Sequence, residues 1–212
     1  MKTEILIGKL AQECRPVKPL GNPVIRFLKW AAATLVILSA GVLILRPDVS
    51  AFFLINPSFA FPAAIMLCVS LISALSAFIW TVPDEKNSRV GFMLGTIILS
   101  WFGLIAYLLV SADLADSHPG YRCVLRTVIL AAAPSILLFY MLKKAAPIKP
   151  GTVGLLASLG VLSLATLGVQ FVCQKVFLAH ILMWHILPVC VLSGIGFFLG
   201  RLLFKWDLRQ RL

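Results

Sequence analysis

The chain of 212 residues is 60% hydrophobic and only 13% charged, with a mean hydropathy of +0.99. One soluble core cannot bury so large an apolar fraction, so the composition excludes a soluble globular enzyme and indicates a membrane protein. The 19 lysines and arginines outnumber 8 acidic residues and give a net charge of +11. In a soluble protein this excess would suggest nucleic-acid binding. In a membrane protein the position of each charge matters more, and we predict no direct contact with nucleic acid.

Residues 1–26 are the first predicted element, a basic segment without a long apolar run. Such a segment does not resemble a cleavable secretory signal, so we expect the first hydrophobic block to be retained as an anchor. Thr3 can cap a short amphipathic helix that carries Leu6, Ile7 and Leu10 on one stripe. About a dozen residues do not form a stable helix alone, so this helix should either lie on membrane lipid or dock on a partner.

Six apolar blocks with almost no charge follow, each close to the ~20 residues that a helix needs to cross a bilayer. Strict alternation of apolar and polar residues is absent, so a membrane β-barrel is not indicated, whereas a helix satisfies its own backbone groups in lipid. We therefore predict an all-α integral membrane protein with six transmembrane helices over residues 27–200, followed by a basic cytoplasmic tail over 201–212. The blocks are Phe27–Leu45, Phe59–Val82, Val90–Ala112, Cys123–Leu142, Thr152–Cys173 and Val176–Gly200.

The basic residues predict the orientation of these blocks, because the cytoplasmic side of a membrane protein holds the excess of Lys and Arg. Fifteen of the 19 basic residues fall near the two termini, between the second and third blocks, or between the fourth and fifth blocks. The other face holds only four, which are Arg46, Arg122, Arg126 and Lys175. We therefore expect the N- and C-termini in the cytoplasm and the first, third and fifth connections outside.

The sequence carries no recognisable catalytic or cofactor-binding motif. There is no phosphate loop, no HExxH or CxxC spacing and no serine-nucleophile motif, and the carboxylates are few and scattered. The six blocks also contain no acidic residue that could relay protons or sodium ions. We predict a protein that is not an enzyme and uses no cofactor, and a small-solute transporter is a weaker alternative.

Two cysteines, Cys123 and Cys173, fall at the outer ends of the fourth and fifth blocks. These blocks form a helical hairpin around the connection at 143–151, and its symmetry places both thiols at the same membrane depth. They lie on the side where disulfides persist, but depth does not determine whether the thiols face each other. A functional thiol pair and a structural disulfide both fit this placement. Cys68 and Cys190 lie within blocks, where we expect small buried apolar side chains.

Arginine and histidine residues near this pair are candidate supporting groups. Arg122 and Arg126 flank Cys123, where a cation would favour the reactive thiolate, although both could instead anchor the helix end at the lipid head groups.

His118 and His180 fall on the same face of the membrane as the thiols. Two thiols and an imidazole suit a soft metal ion, so Cys123 and Cys173 are also candidate ligands for a signal metal. Exposed loop histidines are the simpler interpretation, because the spacing matches no known metal motif. His185 lies inside the last block, where it is either functional or hydrogen-bonded to a neighbouring helix.

Glycine pairs and three prolines bear on the shape and packing of the helices. Gly91 with Gly95, and Gly196 with Gly200, have the GxxxG spacing that permits close approach of helices. Packing inside one bundle is the simpler interpretation, and a homodimer is the alternative. Pro62, Pro134 and Pro188 lie inside or near the start of blocks and lack a backbone donor, so we expect kinks at these three positions.

Six short patterns, taken together in their order and spacing, resemble the NrsF family of bacterial membrane anti-sigma factors. The resemblance covers almost the whole chain, up to Gly200-Arg201. The patterns are Met1-Lys2-Thr3-Glu4-x-Leu6-Ile7, Arg15-Pro16-Val17, Leu45-Arg46-Pro47-Asp48, Gly120-Tyr121-Arg122-Cys123, Cys173, and Trp184-His185-x-Leu187-Pro188.

The resemblance implies an inner-membrane protein that holds an extracytoplasmic-function sigma factor inactive at the cytoplasmic face. It further implies release of that partner when Cys123 and Cys173 are perturbed by heavy metal or oxidant. The apolar stripe of Leu6, Ile7 and Leu10 would then contact the sigma factor. The alternative is a membrane protein that passes electrons between a thiol pair and quinone, which would need a second outer thiol pair that the sequence lacks.

Overall fold

The structure is a computed structural model that describes residues 3–13, 20–45, 57–82, 88–111, 119–145, 147–173 and 177–204. Regular structure within these ranges is entirely helical. The helices are α1 (Thr3–Glu13), α2 (Pro23–Leu45), α3 (Pro57–Ile79), α4 (Ser88–Ser111), α5 (Tyr121–Lys143), α6 (Pro150–Val172) and α7 (Leu178–Leu203).

Six of the described helices, α2 to α7, are long and apolar enough to cross a membrane. This confirms the predicted all-α architecture and its six spanning helices. The observed ends of the helices differ from the predicted block ends by a few residues. The last helix, for example, runs over Leu178–Leu203.

Helix α6 lies at the centre of the bundle and packs against α2, α3, α5 and α7. Most of its residues are buried, whereas α2, α4, α5 and α7 each expose a wide apolar face. Buried polar groups join the helices inside this apolar core. Ser70 of α3 donates a hydrogen bond to the carbonyl of Gly160 in α6, and Trp30 of α2 donates one to the carbonyl of Pro134 in α5.

Glycine brings α6 and α7 into direct backbone contact. A Cβ atom at Gly154 of α6 would collide with the carbonyl oxygen of Gly196 and with the Cα of Gly200 in α7. Gly196 and Gly200 therefore pack inside one bundle, as the simpler interpretation of their spacing predicted. In contrast, a Cβ atom at Gly91 or Gly95 would meet no atom of the described residues within 4 Å. The homodimer stays a prediction.

The start of α2 and the end of α7 lie at the same end of the bundle. Arg26, in the first turn of α2, donates a hydrogen bond to the carbonyl of Met141, in the last turn of α5. Phe204, directly after α7, stacks on Phe139 of α5 with ring centroids 5.5 Å apart. We call this the Arg26 end, and the opposite end, where α5 begins, the Cys123 end. This placement agrees with the prediction that both termini lie on the same side of the membrane. That this side is the cytoplasm stays a prediction.

Helix α7 contains one π-helical turn, Leu182–Ile186, between α-helical segments. The backbone N–H of Leu187 bonds to the carbonyl of Leu182, five residues earlier. Pro188 follows at once and has no N–H to offer the carbonyl of Trp184, so the regular α-helical pattern cannot continue through this point. A π-helical turn therefore lies directly before Pro188, while Pro62 and Pro134 lie inside α-helices; the kinks expected at the three prolines stay predictions.

The predicted amphipathic helix of the N-terminal segment is present as α1. Its side chains Ile5 and Ile7 are 53% and 60% exposed. The side chains of Leu6 and Leu10 lie outside the described residues.

Candidate cysteine–histidine site

Two thiols and two imidazoles meet at the Cys123 end, where α5 begins, α6 ends and α7 begins. Cys123 lies in the first turn of α5, and its backbone N–H bonds to the carbonyl of Gly120. Cys173 is the residue directly after α6, where the backbone becomes extended with φ −78° and ψ 124°. His180 lies in the first turn of α7. Three helix ends therefore supply the site.

The thiols and the imidazole of His180 form a nearly equilateral triangle. The Sγ atoms of Cys123 and Cys173 are 3.6 Å apart, and each is 3.6 Å from Nε2 of His180. A disulfide bond would need about 2.05 Å between the sulfurs, so the two are in contact without that bond. The packing of α5 against α6 thus settles the question that depth alone left open, because the two thiols face each other.

His185 completes a group of four. One ligand atom from each of Cys123, Cys173, His180 and His185 lies within 4.8 Å of all the others. The two imidazole rings meet edge to face, with centroids 5.4 Å apart and an angle of 62°. The group therefore offers two sulfur and two nitrogen donors, a set that suits zinc and other borderline or soft metal ions.

The π-helical turn explains why two histidines five residues apart lie together. In a regular α-helix, five residues rotate a side chain by about 140° around the axis, so His180 and His185 would point apart. A π-helical turn closes hydrogen bonds over five residues, and residues with that separation then lie on one face. Turns of this kind are common at functional sites.

Three of the four side chains in the site are buried. His180 and His185 are 0% and 1% exposed, and Cys123 is 7% exposed. Cys173 is half-buried and forms the accessible edge. Solvent or a small ion would therefore reach the site past Cys173.

Gly120 forms part of the wall of the site. A Cβ atom there would collide with the ring of His180 and with Trp184 of α7. A larger residue would push the imidazole away from the thiols, so glycine is needed for this close approach of the segment before α5 to α7.

Nδ1 of His185 is buried and has no hydrogen-bond partner among the described residues. Burial of an unsatisfied polar atom costs about 1–3 kcal/mol. The prediction that His185 is bonded to a neighbouring helix is not supported at this nitrogen. Buried polar atoms without a partner are rare in folded proteins, and one explanation for them is a functional role.

The remaining predicted residues fall around the group or outside the described ranges. Arg122 is exposed and lies 5.9 Å above the ring of Tyr121, a placement typical of an anchor at the membrane surface. Arg126 is half-buried, and activation of Cys123 by either arginine stays a prediction. His118 lies outside the described residues.

Two expectations about single residues are wrong. His180 was expected in an exposed loop, but it is fully buried because it lies in the first turn of α7 against α5 and α6. Cys68 was expected to be buried, but it is exposed on the face of α3 that turns away from the bundle. Cys190 is half-buried and accepts a hydrogen bond of 2.9 Å from Nε1 of Trp101. Neither of these two cysteines belongs to the group of four.

His185 was named as a possible supporting residue for the thiols, but its contact with His180 was not predicted, and Gly120 was not singled out as a wall of the site. Kinks were expected at Pro62, Pro134 and Pro188 alike, and nothing in the sequence indicated a π-helical turn before Pro188.

The match to known proteins covers nearly the whole chain. A family model described as "Negative regulator of sigma F", NrsF, matches residues 10–206. The chain belongs to the NrsF family. This confirms the resemblance inferred from the short sequence patterns.

A curated relative of this NrsF-family chain comes from Azospira oryzae and is named "Probable anti-sigma-F factor NrsF". It is 23% identical over 214 residues, which cover 97% of this chain and 100% of the relative. No solved structure matches the chain significantly.

Family membership identifies the chain as a negative regulator of a sigma factor, with a sigma factor as its partner. Anti-sigma factors are regulators and not a class of enzyme. The alternatives of a thiol–quinone redox protein and of a small-solute transporter gain no support from these relatives.

Proposed function

We propose that this protein is an anti-sigma factor of the bacterial inner membrane that senses heavy metal or oxidant through Cys123 and Cys173. In the resting state it holds an extracytoplasmic-function sigma factor at the cytoplasmic face, in part through residues 1–26. A change in the bonding of the two thiols releases that partner. The observation that carries the proposal is the 3.6 Å contact between the two Sγ atoms, each of which also contacts His180.

The thiol pair is placed to react without a large rearrangement. A shift of about 1.5 Å would bring the two sulfurs from contact to the length of a disulfide bond. A two-electron oxidant such as diamide would take up two electrons and two protons as this bond forms. A thiophilic ion such as cadmium would instead bind both sulfurs and pull the same helix ends together.

Helix α5 offers a mechanical path from this pair to the other end of the bundle. It carries Cys123 in its first turn and Met141 in its last, and Met141 accepts the hydrogen bond from Arg26. Arg26 lies in the first turn of α2 and is the last residue of the 1–26 segment. A shift of α5 along or around its axis would therefore reach the segment that we expect to hold the sigma factor.

Helix α1 presents apolar side chains that a partner can cover. Ile7, which belongs to the stripe of Leu6, Ile7 and Leu10, is 60% exposed, and an amphipathic helix can dock such a face in a groove of another protein. The 1–26 segment would then be the cytoplasmic partner-binding unit, next to the membrane domain over 27–200 and the basic tail over 201–212.

The basic residues at the Arg26 end support a cytoplasmic location for this end of the bundle. This end carries a cluster of basic residues that includes Arg26, Lys29, Lys143, Lys144 and Arg201. The rule that cytoplasmic ends hold the excess of Lys and Arg then places the cysteine–histidine site in the periplasm. Disulfides form and persist in that compartment.

The test is co-purification of sigma factors with this protein from membranes, with and without diamide or cadmium. The unmodified protein should retain a sigma factor from unstressed cells and lose most of it after treatment. The Cys123→Ser, Cys173→Ser double variant should retain the sigma factor under both conditions.

Cys68→Ser is the matched control, because Cys68 is a more exposed thiol outside the site, and this variant should respond normally. Normal release by the double variant would show that the thiol pair is not the sensor. Failure to recover any sigma factor with the unmodified protein would contradict the proposed partner.

A further inference from the structure

We propose that Cys123, Cys173, His180 and His185 together bind one Zn²⁺ ion in the resting protein. The signal would then act on a metal-closed site and not on a bare thiol pair. The regulatory part of this inference rests on the proposed function, whereas binding of the ion can be tested without it.

The distances within the group match those of a tetrahedral zinc site. Zn–S bonds of about 2.3 Å and Zn–N bonds of about 2.05 Å place two sulfurs roughly 3.8 Å apart, and a sulfur and a nitrogen about 3.5 Å apart. The observed separation is 3.6 Å between the sulfurs, and 3.6 Å from each sulfur to Nε2 of His180. Three corners of the tetrahedron are therefore already in position.

His185 supplies the fourth corner. Its ligand atom lies within 4.8 Å of the other three, so a movement of about 1 Å would complete the tetrahedron. Its buried Nδ1 has no hydrogen-bond partner among the described residues. A bound metal would satisfy this imidazole, either directly or by fixing which ring nitrogen carries the proton.

Charge and burial favour the same conclusion. Two thiolates cancel the two positive charges of Zn²⁺, and two neutral imidazoles complete a site with no net charge. A largely buried site among apolar helices can hold such a neutral cluster, whereas two thiolates placed there without a cation would be disfavoured. Four protein ligands also leave no open position, which is typical of structural rather than catalytic zinc.

Zinc at this position would join three helix ends. Its ligands come from the start of α5, the end of α6, and the first turns of α7. Cys123 and Cys173 are 50 residues apart in sequence and lie at the end of the α5–α6 hairpin opposite its connection. Their bonds to one ion would hold the start of α5 against the end of α6. Loss of the ion on oxidation would leave Cys123 and Cys173 joined by the S–S bond and would free α7, which carries His180 and His185, from the other two helix ends.

The half-buried Cys173 is where a signal molecule would act first. A two-electron oxidant such as diamide would take two electrons from the two thiolates and two protons from water. The S–S bond would form, both Zn–S bonds and both Zn–N bonds would break, and Zn²⁺ would leave, with the two imidazoles neutral. A more thiophilic ion such as Cd²⁺ would displace Zn²⁺ without a change in oxidation state.

The test is metal analysis of the full-length protein, purified in detergent under reducing conditions without a chelator. Mass spectrometry of the elements should find about one zinc per chain. Diamide should release this zinc to a metallochromic dye while the two thiols become resistant to alkylation. Absence of zinc, or copper in its place, would overturn the proposal without any variant.

Variants assign the ligands. His180→Ala and His185→Ala should each lose most of the zinc, whereas Cys190→Ser, in the same helix but outside the group, should keep it. Because a variant could lose zinc by misfolding, Co²⁺ substitution of the unmodified protein gives a second measurement. Tetrahedral coordination by sulfur and nitrogen predicts strong visible absorption and a sulfur-to-cobalt charge-transfer band. Weak absorption typical of six oxygen ligands would contradict the assignment.

The outcomes separate this inference from the proposed function. If zinc is bound and leaves on oxidation while the sigma factor stays bound, the metal site stands and the sensing function fails. If diamide releases the sigma factor from a protein that never held zinc, the sensing function stands and the metal site fails.

Discussion

Arg26 donates a hydrogen bond to the backbone carbonyl of Met141 and so joins the first turn of α2 to the last turn of α5. The same guanidinium lies 5.3 Å above the ring of Phe78 and within 3.4 Å of the hydroxyl of Thr81, at the end of α3. Three helices therefore meet at one side chain. Because Cys123 lies in the first turn of α5, this contact is the point at which a change at the cysteine–histidine site would reach α2.

Arg26→Ala should uncouple the thiol reaction from release of the sigma factor. The variant loses the bond to Met141, and an unsatisfied carbonyl at this position costs about 1–3 kcal/mol. Thiol labelling should show that Cys123 and Cys173 still oxidise with diamide, while co-purification shows no further loss of sigma factor on treatment. Lys29→Ala, an exposed residue one turn later, is the control and should behave as the unmodified protein. Normal coupling in Arg26→Ala would rule out this path.

Reporter fusions test the orientation of the bundle. Fusions after Lys86, Lys149 and Leu212 should behave as cytoplasmic, because the excess of basic residues lies on that side. A fusion near Ser117 should behave as external. A cytoplasmic signal at Ser117 would reverse the orientation and would remove the periplasmic location of the thiol pair.

Charged substitutions in α1 test the contact with the sigma factor. Ile7→Asp and Leu10→Asp should weaken binding by about 2 kcal/mol or more, because a helix-in-groove contact buries such residues. Both variants should still insert in the membrane. Gln12→Glu, off the apolar stripe, is the control. If neither aspartate variant nor deletion of residues 1–14 lowers sigma-factor recovery, the contact lies instead in the basic cytoplasmic connections.

Gly154→Ala should destabilise the packing of α6 on α7. The added Cβ atom would collide with the backbone at Gly196 and Gly200, and overpacking of this kind costs about 1–3 kcal/mol. Thermal unfolding in detergent should occur at a lower temperature than in the unmodified protein. Gly91→Ala introduces the same atom where nothing described lies within 4 Å, so its unfolding temperature should change little. Equal behaviour of the two variants would contradict the close contact.

Much of this architecture can be predicted from hydropathy and charge alone. Each spanning helix needs only about 20 apolar residues, a property of composition averaged along the chain, so the six helices and the depth of Cys123 and Cys173 follow directly. The short helix α1 also follows, because a cap and an apolar stripe are local patterns. The family was predictable too, since its patterns are spread along the linear sequence.

Only the tertiary structure decided what surrounds the two thiols. The rotation of α5 and α6 that turns Cys123 toward Cys173 depends on how side chains from all neighbouring helices pack, and hydropathy carries no information about rotation. The pairing of His180 with His185 depends on the π-helical turn, because in a regular α-helix these residues would point apart. The sequence by itself therefore determined which residues lie at one depth, whereas packing and one irregular turn decided that four of them share a site.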